Sequence, residues 1–236
     1  MHPARILVLQ IDPIESMGIY PEILRGLGAE VTIFHAYRLQ PPEKYPSIDG
    51  FDAFILSAMA PDVHEMPRFY FLQQLWDYVD EIRLSGKPCF GICGGAQFLA
   101  YRLGANVHSS PKEVGCYRIQ LTEAGIRDPL LEGIPQEFTA FLWHGNMFEI
   151  PKDGELVATG EPCHIQGFRF NNIRGFLFRF ELNSRELGSW LEVWGSSTAV
   201  AGKTPEQVLS ECKLNDAQMR LYAERVAANL IHLVSQ

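Results

Sequence analysis

Several features are missing from this chain of 236 residues, and each absence removes a class of function. No apolar run approaches the roughly 18 residues that span a bilayer, and the opening Met1-His-Pro-Ala-Arg lacks a signal-peptide core. No membrane partner is expected. Clusters of Lys or Arg are also missing. Acidic residues outnumber basic ones 28 to 20, giving a net charge of −8, which argues against nucleic acid as a partner. Cysteine is sparse: the five residues Cys89, Cys93, Cys116, Cys163 and Cys212 form no Cys-x-x-Cys pair and are odd in number. That pattern argues against a disulfide framework or a zinc knuckle and suits a reducing cytoplasm. The scattered histidines show no His-x-x-x-His spacing, so no metal site is expected, and no cofactor is expected either. Repeats, low-complexity tracts and an obvious linker are absent too, so residues 1–236 read as a single domain.

What is present reads as an enzyme-sized globular chain, 47% hydrophobic and 20% charged. Short aliphatic runs alternate with helical spacing over the first hundred residues. Ile6–Leu9, Val31–Phe34, Phe54–Leu56 and Pro88–Ile92 predict buried strands. Between them, Ile19–Leu27 predicts a helix stopped by Gly28, and Phe69–Leu84 carries an apolar stripe through Leu72, Leu75, Val79 and Ile82. Such a series predicts an α/β fold: a doubly wound, mainly parallel sheet flanked by helices, with its site at the strands' carboxyl ends. After Gly104 come short strand-like runs at 117–121, 138–143, 156–159, 165–170 and 175–180, read as a small antiparallel hairpin extension. Thr204-Pro-Glu-Gln has the form of a capping box, and Met219, Tyr222, Val226, Leu230 and Leu233 line one face of the helix that follows.

The chemistry centres on Gly86-Lys-Pro-Cys-Phe-Gly-Ile-Cys-Gly-Gly-Ala-Gln-Phe-Leu99. An apolar strand turning into a helix at Gly-x-Cys-x-Gly has the form of a nucleophile elbow, with Cys93 at its tip. Glycines are needed there because a strained turn leaves no room for Cβ atoms beside the reactive side chain. The helix N-terminus behind the sulfur favours thiolate, and the N–H of Gly94 points where an oxyanion would form. A buried structural cysteine before a glycine-rich turn would show the same local pattern.

Five ordered segments resemble the class I glutamine amidotransferases, of the stand-alone type similar to the glutaminase domain of GMP synthetase. They are Lys87–Gln97 around the cysteine, Gly115-Cys-Tyr-Arg, Trp143-His-Gly-Asn-Met-Phe, Gln166-Gly-Phe-Arg, and Gly175-Phe-Leu-Phe-Arg-Phe-Glu181. The resemblance implies the flavodoxin-like fold of that family and a Cys-His-Glu triad. In it, cysteine attacks the side-chain amide of glutamine, ammonia leaves, and water hydrolyses the γ-glutamyl thioester. Cys93 matches the nucleophile and Glu181 the orienting acid. The histidine position is occupied by Arg179, and no histidine lies between His164 and His232. Gln97 and His144 match residues beside the substrate.

A guanidinium stays protonated to pH ~12 and cannot shuttle protons. Arg179 is therefore expected to lower the Cys93 thiol pKa and to pair with Glu181, two residues along a strand, while proton transfer is impaired. The loop Leu56-Ser-Ala-Met-Ala-Pro61 replaces a Gly-Gly-Pro-like sequence of many relatives, with Ala58 as a second oxyanion N–H. His144 in an exposed turn is a weaker candidate for the missing base. Three functions stay open: a glutamine amidotransferase releasing ammonia through Cys93; a catalytically lapsed relative binding a small ligand or a partner protein; and a different Cys93 thiolate chemistry on a γ-glutamyl compound. Any use of the ammonia implies a separate synthetase subunit, because the chain carries no synthetase domain.

Overall fold

In the computed structural model, which describes residues 2–235, the alternating runs become one mixed sheet. The first half consists of β1 (Arg5–Gln10), α1 (Tyr20–Gly26), β2 (Glu30–His35), β3 (Ala53–Leu56), α2 (Tyr70–Ser85), β4 (Cys89–Ile92) and α3 (Gly94–Arg102). The second half consists of β5 (Val107–Leu121), α4 (Glu123–Ile126), β6 (Glu137–Phe148), β7 (Glu155–Gly160), β8 (Ile165–Phe170), β9 (Ile173–Phe176), α5 (Ser184–Trp194) and α6 (Pro205–Val234). The strand order is β2-β1-β3-β4-β9-β8-β7-β5-β6. Pairing is parallel from β2 across to β9 and antiparallel beyond it.

Burial follows from that order. β3 and β4 are buried at every position because helices cover both faces of the parallel half, which is why they read as unbroken apolar runs. The α2 stripe buries Leu72, Leu75, Val79 and Ile82, and Gly86, at φ 73, ends the helix in the left-handed region that favours glycine. The capping box of α6 forms as expected, with Thr204 and Gln207 satisfying each other's backbone N–H groups. Met219, Tyr222, Val226 and Leu230 of α6 are buried, and Leu233 is half-buried.

The α/β, doubly wound architecture agrees with the sequence pattern, but its antiparallel arm is not small. β5 and β6 are the longest strands, 15 and 12 residues, and they pair along most of their length. One expected strand is cut short. β9 ends at Phe176 rather than reaching Phe180, and the chain crosses to β6, where Arg179 N–H donates to the Phe141 carbonyl at 2.9 Å. α5, which the sequence expectations above do not include although Leu187, Trp190, Leu191 and Trp194 recur at helical spacing, starts at the Asn183 N-cap. Its Leu187 and Trp190 join Val114, Phe141, Leu182, Val208, Cys212 and Met219 in a second, smaller core. That core walls one side of the site.

Candidate active site

Cys93 stands between β4 and α3 with φ 50 and ψ −111, in the left-handed region that non-glycine residues rarely occupy. Backbone strain of this kind costs about 1–3 kcal/mol and persists only where its surroundings enforce it. Here they do: Cys93 N–H donates to the Phe176 carbonyl at 2.7 Å, and its own carbonyl accepts the first α3 bond from Gln97 at 2.9 Å. A Cβ on Gly94 would lie 2.6 Å from Met59 N, and one on Gly95 would lie 2.4 Å from the Ser57 carbonyl oxygen. The elbow glycines thus admit the loop after β3 against the first turn of α3. The backbone that packs closest against Gly94 is that of Met59, and Ala58 beside it is buried. Ser57 Oγ fixes this loop by accepting from Ile11 N–H and donating to the Ala58 carbonyl, both at 2.9 Å.

Cys93 is 6% exposed, and its sulfur donates to the Trp143 carbonyl at 3.5 Å. Burial pushes the thiol pKa above its ordinary value; Arg179 opposes this by charge and hydrogen bonding, and Glu15 reinforces it. Arg179 thus acts in the expected, lowering direction, but loss of water outweighs it.

Arg179 and Glu181 do face each other, Nη1 to Oε1 at 3.4 Å. The pair is part of a larger arrangement invisible in the sequence. Nη2 of Arg179 donates to Oε2 of Glu15 at 2.5 Å, and the guanidinium carbon stands 4.8 Å from the centre of the Trp190 ring. Glu15 sits in the loop after β1, which Asp12 shapes by accepting from the N–H groups of Ile14, Glu15 and Ala60. The same loop is fastened to the segment carrying Glu181: Ile19 N–H donates to the Glu181 carbonyl at 3.0 Å, and Ser16 donates to Glu186. Burial raises the Glu181 carboxyl to about 7 and the Glu15 carboxyl above its usual range, with Arg179 opposing both shifts. Burial also works against the charge of Arg179, but Cys93, Glu15 and Glu181 more than offset it and hold the guanidinium protonated.

His144 does not occupy an exposed turn. It lies within β6, paired with Glu113 of β5, because backbone pairing along the long antiparallel arm overrides the local turn signal of His-Gly-Asn. Its Nε2 is 2.8 Å from Glu113 Oε2 and its Nδ1 is 3.0 Å from the Asn146 carbonyl, with the His144 and Glu113 side chains at most 1% exposed. Gln166 Nε2 donates to the same Glu113 oxygen at 2.9 Å and to the Cys163 carbonyl at 3.0 Å. The ring nitrogens thus face Glu113 and the Asn146 carbonyl.

Glu113, His144 and Cys163 also place one potential metal-ligand atom each within 4.8 Å of one another. Zinc ligands at about 2.0–2.1 Å in tetrahedral array stand about 3.3 Å apart. The 2.8 Å His144–Glu113 separation is shorter than that, and Gln166 Nε2 donates to the same Glu113 oxygen. Among the described residues this is a closed polar knot and not an open ligand set.

These elements enclose a pocket of about 270 Å³ above Cys93, with Glu15, Met59, Asp62, Gln97 and Asn146 in its walls. Gln97 Nε2 donates to the Asn146 carbonyl at 2.9 Å, and Asn146 Nδ2 donates to Asp62 at 2.5 Å, so the far wall is bonded to itself. Cys89, by contrast, is plain core on β4.

Residues 21–176 match the model of the family described as glutamine amidotransferase class-I. The chain belongs to the class I glutamine amidotransferase family. Among its relatives is the glutamine amidotransferase-like protein YfeJ of Salmonella typhimurium, 30% identical over 72% of this chain and 71% of that one. One subunit of the glutamine-hydrolysing GMP synthase of Thermoplasma volcanium is 27% identical over 80% of this chain and 88% of its own length. A crystal structure of a glutamine amidotransferase from Thermotoga maritima superposes with a TM-score of 0.88, covering 98% of this chain and 99% of that one at 21% identity, which speaks for a common fold. No helix among the described residues of this family member is long and apolar enough to cross a membrane.

Proposed function

We propose that this amidotransferase relative binds glutamine or a related γ-glutamyl amide in the pocket above Cys93 and cleaves it through a γ-glutamyl thioester on that sulfur. The observation that carries this reading is the strained Cys93 backbone at the tip of an elbow whose glycines let the Met59 backbone pack directly against Gly94. A thiol held that way, beside backbone donors at a helix N-terminus, suits attack on a carbonyl with stabilisation of the oxyanion. Cys93 acts as nucleophile, Gly94 and Met59 as oxyanion donors, and Gln97 and His144 as walls that shape the amide's seat. Arg179 holds charge at the floor and Glu181 balances it. The protein works as a single domain without a cofactor and in the cytoplasm. The ammonia passes to a separate synthetase subunit. That role is supported by relatives that are themselves subunits of GMP synthase.

A second reading has its own support. Arg179 is locked by two carboxylates and has no proton to exchange, which favours ligand retention without hydrolysis. Ammonia release from L-glutamine separates the two. Release by the wild type that vanishes in Cys93→Ala supports hydrolysis; saturable glutamine binding without release supports the lapsed form.

A further inference from the structure

Cleavage of an amide at Cys93 needs a group that takes the thiol proton and hands it to the departing nitrogen. Around the sulfur, most ionisable side chains are already engaged. Asp62 in the pocket wall accepts from His64 N–H and from Asn146, Asp12 is bonded to three backbone N–H groups, Glu186 to Ser16, and both nitrogens of His144 face Asn146 and Glu113. Glu181 is 2% exposed and does not line the pocket. Glu15 is different. It forms part of the pocket wall with Cys93, its Oε2 is bonded to Arg179, and its Oε1 accepts no hydrogen bond among the described residues.

Resting on the γ-glutamyl reading above, we propose that Glu15 is the catalytic proton carrier of the Cys93 reaction, supplied by the loop after β1 in place of a histidine after β9. Two carboxylates bracket one guanidinium in a buried site, and charge balances when one proton resides on the pair. The shorter bond, 2.5 Å from Arg179 to Glu15 against 3.4 Å to Glu181, leaves Glu15 as the ionised partner. Burial pushing Glu181 up to about 7 agrees with that division. In the first half-reaction the Glu15 carboxylate takes the Sγ proton as sulfur bonds to the amide carbon. The C–N bond breaks and the same proton passes to the leaving nitrogen. In the second, Glu15 takes a proton from the attacking water and returns it to sulfur as the C–S bond breaks, giving the γ-carboxylic acid. Arg179, within reach of both sulfur and Glu15, stabilises the thiolate between these steps.

The test uses wild type, Glu15→Gln and Glu15→Asp with two probes, L-glutamine (ammonia) and L-γ-glutamyl-p-nitroanilide (p-nitroaniline), alongside the pH profile of Cys93 alkylation by iodoacetamide. Glu15→Gln is expected to lower kcat about 10²-fold or more with little change in KM. In the same variant, Cys93 alkylates faster at a given pH because a negative neighbour is gone. Glu15→Asp keeps the charge but withdraws the oxygens by one methylene, so the alkylation profile stays and kcat still falls at least about tenfold. A Glu15→Gln protein that turns over within about threefold of wild type overturns the role of Glu15 and leaves the γ-glutamyl reading intact. A wild type that releases neither product overturns that reading and the role of Glu15 together.

Discussion

Arg179 and Glu15, 164 residues apart in the chain, meet at 2.5 Å beneath Cys93. Their contact ties the loop after β1 to the segment after β9 and sets a carboxylate in the wall of the pocket that also holds the sulfur. Most of the site's testable behaviour follows from this buried charge cluster.

Glu181 makes stability depend on pH in a defined direction. Its carboxyl is raised by burial to about 7 from an ordinary 4.5, so between those values the folded protein holds a proton that the unfolded chain has lost. Its stabilising contribution is full below pH about 4.5 and is lost as pH rises through about 7. Urea unfolding of wild type and Glu181→Gln from pH 4.5 to 8 should show the variant gaining on wild type as pH rises. A constant difference between the two would contradict the assignment.

The Cys93 thiol should ionise late. Burial raises it above its ordinary 9.0 despite Arg179. The rate of iodoacetamide alkylation is expected to keep climbing above pH 9, and Arg179→Gln should push the profile higher still by removing the cation. Half-maximal alkylation of wild type below pH 9 would show that the cation prevails over burial.

Gly94→Ala would place a carbon 2.6 Å from Met59 N, a contact with backbone that no side-chain rotation relieves. Overpacking of this kind costs typically about 1–3 kcal/mol. The expected result is a lower Tm together with loss of turnover, since displacing Met59 would dismantle the proposed oxyanion donors. An unchanged Tm by calorimetry would mean that the loop after β3 yields easily.

Breaking the buried His144–Glu113 contact on one side should be worse than removing it whole. His144→Ala removes one partner of a carboxylate that is 0% exposed, for which a loss of about 1–3 kcal/mol is typical. Adding Glu113→Gln should recover part of that loss in a double-mutant cycle. Additive single effects would argue against a coupled pair.

The parallel half of the fold is legible in the sequence because its strands are buried on both faces and its helices carry regular stripes. The elbow is legible because Gly91, Gly94 and Gly95 mark where backbone meets backbone. Arg179 and Glu181 can be placed by their position in the last family-like segment. Glu15 cannot: it lies in an aperiodic loop, and its partner is brought to it by tertiary closure alone. Its one signal is its place just past a buried first strand, at the carboxyl edge where doubly wound sheets gather their sites. His144 reads as exposed in the sequence because Gly145 and Asn146 look like a turn, whereas long-range pairing with β5 decides the outcome. The trimmed β9 has the same kind of cause: the strand-like run Gly175–Phe180 continues in sequence, but the chain leaves the ladder to deliver Arg179.

The central claim, that a γ-glutamyl group is carried on Cys93, is tested most directly by acid-quenching the protein after incubation with L-glutamine radiolabelled in its carbon chain. Label bound covalently to wild type, lost on treatment with hydroxylamine and absent from Cys93→Ala, is the predicted result. Wild type that retains no label and releases no ammonia, or label retained equally by Cys93→Ala, would contradict it.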